Sequence, residues 1–259
     1  MVEAGTTAIV TGAGRGIGRR IAQRLAADGA QVMLAARGVE QLKETAEAIA
    51  ADGGTAAVCP TDVTDEAAVQ DLVAATLEAF GRLDTLVCNS GIGGPSGPLW
   101  ELDRQAWDET LSVNVTGTFL CCKAAVPQLI GGPQASIVVI GSMTGKRPLL
   151  QRTPYAASKL ALVGMVRTLA HELGPHGVRA NLVSPGPVEG ERIEWVIERQ
   201  AEAKGIPPAE ARAELEAQTA LGALVDPGDI ADAVAFLAGP DAARITGEDL
   251  NVSAGMVMH

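Results

Sequence analysis

The chain has one tyrosine in 259 residues, Tyr155, and it stands four positions before Lys159 in Tyr155-Ala156-Ala157-Ser158-Lys159. On a helix, residues i and i+4 leave the same face about 5–6 Å apart, so a phenol and an ammonium at this spacing share one small volume. A phenol with an ordinary pKa of about 10 gives up its proton poorly at neutral pH unless a nearby cation favours phenolate. Lys159 supplies that cation, and a shift of about three units corresponds to about 4 kcal/mol. The pair reads as a tuned acid/base. Its alternative is a core aromatic beside a solvated helix lysine.

A second chemical segment follows the first apolar run: Thr11-Gly12-Ala13-Gly14-Arg15-Gly16-Ile17-Gly18 leads directly into a helical pattern. Glycines let the backbone turn tightly and approach a pyrophosphate, while the amides at the helix start face the anion. The spacing is T-G-x-x-x-G-x-G rather than G-x-G-x-x-G, and its place between a strand and a helix marks a dinucleotide site. An acidic residue at the end of the second strand would select NAD through a ribose hydroxyl. This chain has Ala35-Ala36-Arg37 there instead. Arg37, with Arg15, suits a 2′-phosphate and favours NADP over NAD. Arg37 stacked on the adenine face would accept either cofactor.

The elements that must position these residues alternate along the chain. Short Val/Ile/Leu-rich runs (Thr6 to Val10, Gln31 to Ala35, Thr55 to Cys59, Leu83 to Cys88, Ala135 to Gly141, Val178 to Ser184, Asp249 to Val252) are separated by helical patterns. The helical patterns are Ile17 to Asp28, Val39 to Ala51, Ala67 to Phe80, Arg104 to Ile130 and Pro154 to Leu173, with another beginning near Asp226-Pro227. This rhythm predicts a single α/β domain over residues 1–259, a three-layer, doubly wound, mostly parallel sheet of Rossmann type. Ligands bind such sheets at the carboxyl ends of the strands, where the strand order reverses. Residues 187–224 break the rhythm with a charged insertion, expected either to cover the substrate as a lid or to lie as a solvated excursion over the sheet.

Composition narrows the function classes. A formal net charge of −11 and a pI near 4.8 argue against binding to nucleic acid or an anionic membrane. No apolar run reaches the roughly 20 residues that span a bilayer, and no basic stretch leads an apolar segment at the amino terminus. A cytoplasmic location is expected. Cys59, Cys88, Cys121 and Cys122 form no Cys-x-x-Cys pair, and His171, His176 and His259 make no metal motif, so no metal is expected.

With the T-G-x-x-x-G-x-G turn, the Tyr155/Lys159 pair and Ser142 thirteen residues before the tyrosine, the chain resembles the short-chain dehydrogenase/reductase family over nearly its whole length. The resemblance implies an active site of Asn114 (in Ser112-Val113-Asn114-Val115), Ser142, Tyr155 and Lys159. It also implies adenine contacts from Asp62 and Val63, cofactor contacts from Asn89, Ser90 and Gly91, and a turn beside the nicotinamide at Pro185, Gly186 and Val188. Ser90 stands where alanine is usual, Gly190 where a threonine often holds the carboxamide, and Asn251 to Gly255 where Asp-Gly-Gly is common.

The implied activity is that of an NAD(P)-dependent oxidoreductase, a carbonyl reductase or 3-oxoacyl reductase, interconverting a ketone and a secondary alcohol of a small-molecule substrate. Tyr155 would exchange the oxygen's proton and Ser142 would hold the same oxygen. Lys159 would lower the tyrosine pKa and bond the ribose, and Asn114 would support a water linking Lys159 to solvent. On residue type alone, the alternative for Asn114 is a local kink or a surface position, and for Ser142 a strand-end turn residue. A noncatalytic dinucleotide sensor and a non-redox lyase or epimerase remain the rival readings, separable by net NADPH consumption with ketones. Lys146, Arg147 and Arg152, with Arg192 of the insertion, are either a basic wall for an anionic substrate such as a carboxylate or an acyl carrier, or solvated loop cations or subunit contacts. The helices carrying Asn114 and Tyr155 are apolar on more than one face, and the family's homotetramer, or a dimer, would bury them.

Overall fold

Apolar strands covered on both faces must divide their side chains between two cores, because successive side chains point to opposite sides. A computed structural model of the chain describes residues 4–258, so His259 lies outside the described residues. Its strands are β1 (Thr7–Thr11), β2 (Gln31–Ala36), β3 (Thr55–Pro60), β4 (Thr85–Cys88), β5 (Ser136–Ile140), β6 (Arg179–Pro185) and β7 (Asp249–Val252). They form one 7-stranded sheet in the order β3-β2-β1-β4-β5-β6-β7, and every neighbouring pair is parallel. The order reverses between β1 and β4.

Ile9, Met33, Leu86, Ile137 and Leu182 face a core closed by α3 (Glu66–Phe80), α5 (Gly117–Leu129) and α6 (Thr153–Leu173). The intervening Val10, Val32, Val87, Val138 and Val183 face the opposite core under α1 (Gly16–Ala27), α2 (Val39–Ala51) and α9 (Pro227–Ala238). Each fully buried Val, Leu or Ile contributes about 1.5–3 kcal/mol, so the alternation itself supplies most of the drive to form three layers.

The expected segments shift by only one or two residues at their ends. One helix is not what its periodicity predicts. Arg104 to Ile130 reads as a single helix, whereas α4 (Arg104–Leu111) passes through a π turn (Ser112–Thr116) before continuing as α5. The insertion 187–224 forms α7 (Glu191–Lys204) and α8 (Pro208–Glu216), which bury Ile197, Ala201, Ala211 and Leu224 in a small core of their own. A parallel bridge from Val188 to Val225 ties its two ends together.

Cys88, Cys121 and Cys122 are buried free thiols. Hydrogen bonding with Cys121 and Cys122, reinforced by burial, holds the Cys88 thiol well above its ordinary pKa. Among the described residues no group of three or more His, Cys, Asp or Glu side chains could hold a metal ion, and no described helix is long and apolar enough to cross a membrane.

Candidate active site

From the carboxyl ends of β1 and β4 the chain leaves toward opposite edges of the sheet, and the glycine-rich turn follows β1 at that reversal point. Gly12 turns through φ +67° and Gly16 through φ +54°, conformations that cost a glycine little and other residues much. A methyl group on Gly12 would lie 2.7 Å from Asn89 Nδ2, so the turn sits directly against the end of β4. Asn89 fixes that contact by donating from Nδ2 to Thr11 O at 3.0 Å and Gly12 O at 3.3 Å. The backbone amides of Asn89 and Ser90 both donate to Thr11 Oγ1 at 3.0 Å. Thr11 therefore locks the two strand ends together, a role visible in the sequence only as the first letter of the turn.

The N-cap of α1 is Arg15, whose side chain makes no capping bond, so the first-turn amides of α1 keep their hydrogens for an anion. At the other face of the cleft, a methyl on Gly186 would lie 2.7 Å from Ser253 Cα, and one on Gly91 would lie 3.2 Å from Asn114 Oδ1 and 3.5 Å from Lys159 Nζ. These glycines leave a smooth, backbone-lined trough of the kind that fits a dinucleotide.

Arg37 follows β2 directly and is exposed. Its charge reaches Asp62, whose pKa falls chiefly because the Thr64 amide and hydroxyl donate to its carboxylate. Val63 is buried against Gly117. Arg15 faces Glu191 of α7 at 3.9 Å across the mouth of the cleft. Gly190, at φ +134°, begins α7. A β-branched threonine would be strained on that backbone, which accounts for glycine at this position.

The expected four come together. Pro154 is the second residue of α6, and Tyr155 follows it within the first turn, where the positive end of the helix favours phenolate. Lys159 lies one turn further, buried, with Nζ 5.8 Å from the Tyr155 ring centre and donating to Ile140 O at 2.8 Å. Burial pushes the Tyr155 pKa up, but the charges of Lys159 and Arg192 and a hydrogen bond with Ser142 outweigh it and bring the phenol below its ordinary value. Burial also depresses Lys159, against the attraction of Tyr155.

Ser142 Oγ accepts from the Thr144 amide at 3.1 Å, capping a turn after β5, and lies near enough to Tyr155 to help lower its pKa. Asn114 is fully buried in the π turn. Its Oδ1 accepts from Ile92 N at 2.8 Å, and Nδ2 donates at 3.0 Å to both Ile92 O and Ser158 Oγ. Ser158 in turn donates to Tyr155 O at 2.8 Å, so Asn114 reaches the tyrosine backbone through a residue the sequence did not single out.

The basic wall is partly dissolved. Lys146, half-buried, pairs with Asp249 at 3.0 Å, and Arg147 donates to Gln218. Arg152 and Arg192 do reach the site, with Cζ 5.7 and 5.1 Å from the Tyr155 ring centre.

Residues 12–257 match the family model described as enoyl-(acyl carrier protein) reductase. A short-chain dehydrogenase/reductase of Armillaria gallica is 37% identical, covering 99% of this chain and 97% of its own. The chain belongs to the short-chain dehydrogenase/reductase family. A solved actinorhodin polyketide ketoreductase variant with NADPH superposes with a TM-score of 0.92 at 35% identity, covering 97% of each chain. NAD+-bound xylitol dehydrogenase superposes equally well, with a TM-score of 0.92 at 30% identity, covering 97% of this chain and 99% of the other. The family thus spans both phosphorylated and unphosphorylated dinucleotides on this fold.

Proposed function

We propose that this protein is an NAD(P)-dependent oxidoreductase that interconverts a ketone and a secondary alcohol, with Tyr155 as general acid/base. The observation that carries this reading is a phenol whose ring centre lies 5.8 Å from Nζ of the buried Lys159, one helical turn away and beside Ser142 at the carboxyl edge of the sheet, where the neighbouring cations favour phenolate. Ser142 Oγ and Tyr155 Oη would converge on one substrate oxygen; a preorganised donor of this kind typically contributes about 2.7–4 kcal/mol. Tyr155 Oη gives its proton to that oxygen in reduction and takes it back in oxidation.

Lys159 Nζ spends one hydrogen on Ile140 O and keeps two for ribose hydroxyls. Asn114 holds the Gly91–Ile92 segment against Lys159 and supports proton supply to it. Bound dinucleotide would supply or accept the hydride.

Gly12, Gly14, Arg15, Gly16, Ile17 and Gly18 would hold the pyrophosphate, and Asp62 and Val63 the adenine. Asn89, Ser90 and Gly91 would line the middle of the trough, and Pro185, Gly186 and Val188 the nicotinamide end. No carboxylate ends β2, so Arg37 supports NADP over NAD; Arg37→Asp should move the kcat/KM ratio toward NAD, and an unchanged ratio would remove Arg37 from cofactor selection. Residues 187–224 act as the lid.

The deciding experiment is Tyr155→Phe. Turnover with ketones should fall 10²-fold or more while dinucleotide affinity, measured by calorimetry, is retained. A folded variant that keeps its turnover would overturn the proposal.

A further inference from the structure

Two guanidinium groups meet beside Tyr155 with no acid to balance them. Arg152 comes from the turn before α6 and donates from Nη2 to Gly93 O at 2.6 Å, while its Nε is buried without a partner. Arg192 comes from the first turn of α7, in the separate insertion. A methyl on Gly93 would lie 2.7 Å from Nη2 of Arg152 and 2.9 Å from Nη2 of Arg192, so the two forks converge on one small volume.

Among the described residues neither makes an ion pair, although the same insertion offers acids freely: Arg212 alone takes Glu189, Glu194 and Glu216. Burial and the charge of Arg192 both depress Arg152, as expected of cations crowded together without an anion. The buried Nε of Arg152 is the part of this pair that costs free energy while it lacks a partner, and a ligand carrying negative charge would supply one.

We propose that the cleft takes an oxo acid, a substrate whose carboxylate lies within a few bonds of the reacting carbonyl and is clamped between Arg152 and Arg192. The proposal rests on the reductase reading of Tyr155. Two planar forks match the two carboxylate oxygens, and their distance from the Tyr155 ring keeps the carboxylate close to the carbonyl held at Tyr155 Oη. Because Arg192 belongs to the insertion, its seating would couple recognition of the acid to closure over the site.

The test measures kcat/KM for 2-oxo and 3-oxo acids and for their methyl esters, in the wild type and in Arg192→Gln, which alters an exposed residue of α7. Calorimetry of the corresponding hydroxy acids on both proteins gives a readout independent of turnover. The wild type should favour acid over ester by about 10- to 100-fold, the worth of charge-assisted bonds, and the variant should lose most of that preference. The acid-to-ester ratio cancels any change that loss of Arg192 makes to Tyr155 itself.

Esters turned over as well as acids by the wild type, or a preference that survives in Arg192→Gln, would overturn the carboxylate clamp and leave the reductase reading standing. Binding of the hydroxy acid that weakens at least ten-fold in the variant, with no turnover of either substrate, would uphold the clamp and sink the reductase reading. No turnover and no arginine-dependent binding would overturn the clamp.

Discussion

Tyr155 must exchange a proton near neutral pH, and its burial alone would move it the wrong way. Lys159, Arg192 and Ser142 reverse that, so the phenol sits below its ordinary value of 10.0. The sign of the pH dependence follows. Alcohol oxidation needs the phenolate, so its rate is low below the Tyr155 pKa and rises through it; a lowered pKa brings that rise to below pH 10. Arg192→Gln removes one of the lowering charges and should carry the rising limb to higher pH in a profile of kcat/KM for oxidation. If the limb stays where it is, Arg192 does not tune the phenol. Tyr155, Lys159 and Ser142 were legible in the sequence because two lie on one helix at a fixed spacing and the third opens the preceding turn. Arg192 was legible only as a charge in an insertion, since nothing local ties its place to Tyr155.

At the scale of the element, the π turn of Ser112–Thr116 is the feature periodicity could not supply. Asparagine is a mediocre helix former, and here it is buried because its amide pairs with the backbone of Ile92, 22 residues away in sequence, and with Ser158. A local pattern cannot encode a partner at that distance. Asn114→Ala should leave the Ile92 amide and carbonyl unpaired and cost about 1–3 kcal/mol for each group so exposed to a dry interior. Urea denaturation would show a lower midpoint with an unchanged m-value. Activity should fall further than stability accounts for, because the Gly91–Ile92 segment would no longer be held against Lys159. A variant as stable as the wild type would mean that water or a neighbour replaces those bonds and that the turn has another cause.

For the whole molecule, the outstanding feature is apolar surface on the helices that carry the site. Phe119 of α5 is 49% exposed and Leu160 of α6 is 54% exposed, on the sides turned away from the sheet. Chains carrying a net charge of −11 repel one another, so association must come from burying such residues rather than from charge. A homotetramer, or failing that a dimer, is the assembly we expect, with α5 and α6 paired against a second copy. Leu160→Glu should then yield a smaller species in light scattering and reduce activity, because α6 also holds Tyr155 and Lys159. A wild type that scatters as a single chain would remove assembly from the account of this surface.

The sequence by itself determined the order of strands and helices, the glycine-rich turn and the tyrosine–lysine pair, because each is written in neighbours a few residues apart and obeys the period of its own element. It also left two readings of the cations around the site. Only the tertiary structure divided them, sending Lys146 into an ion pair with Asp249 while bringing Arg152 and Arg192 from separate elements to one point beside Tyr155. The physical reason is that charge pairing depends on distance in space, and long flexible side chains from remote segments meet only where packing of the backbone brings them within reach.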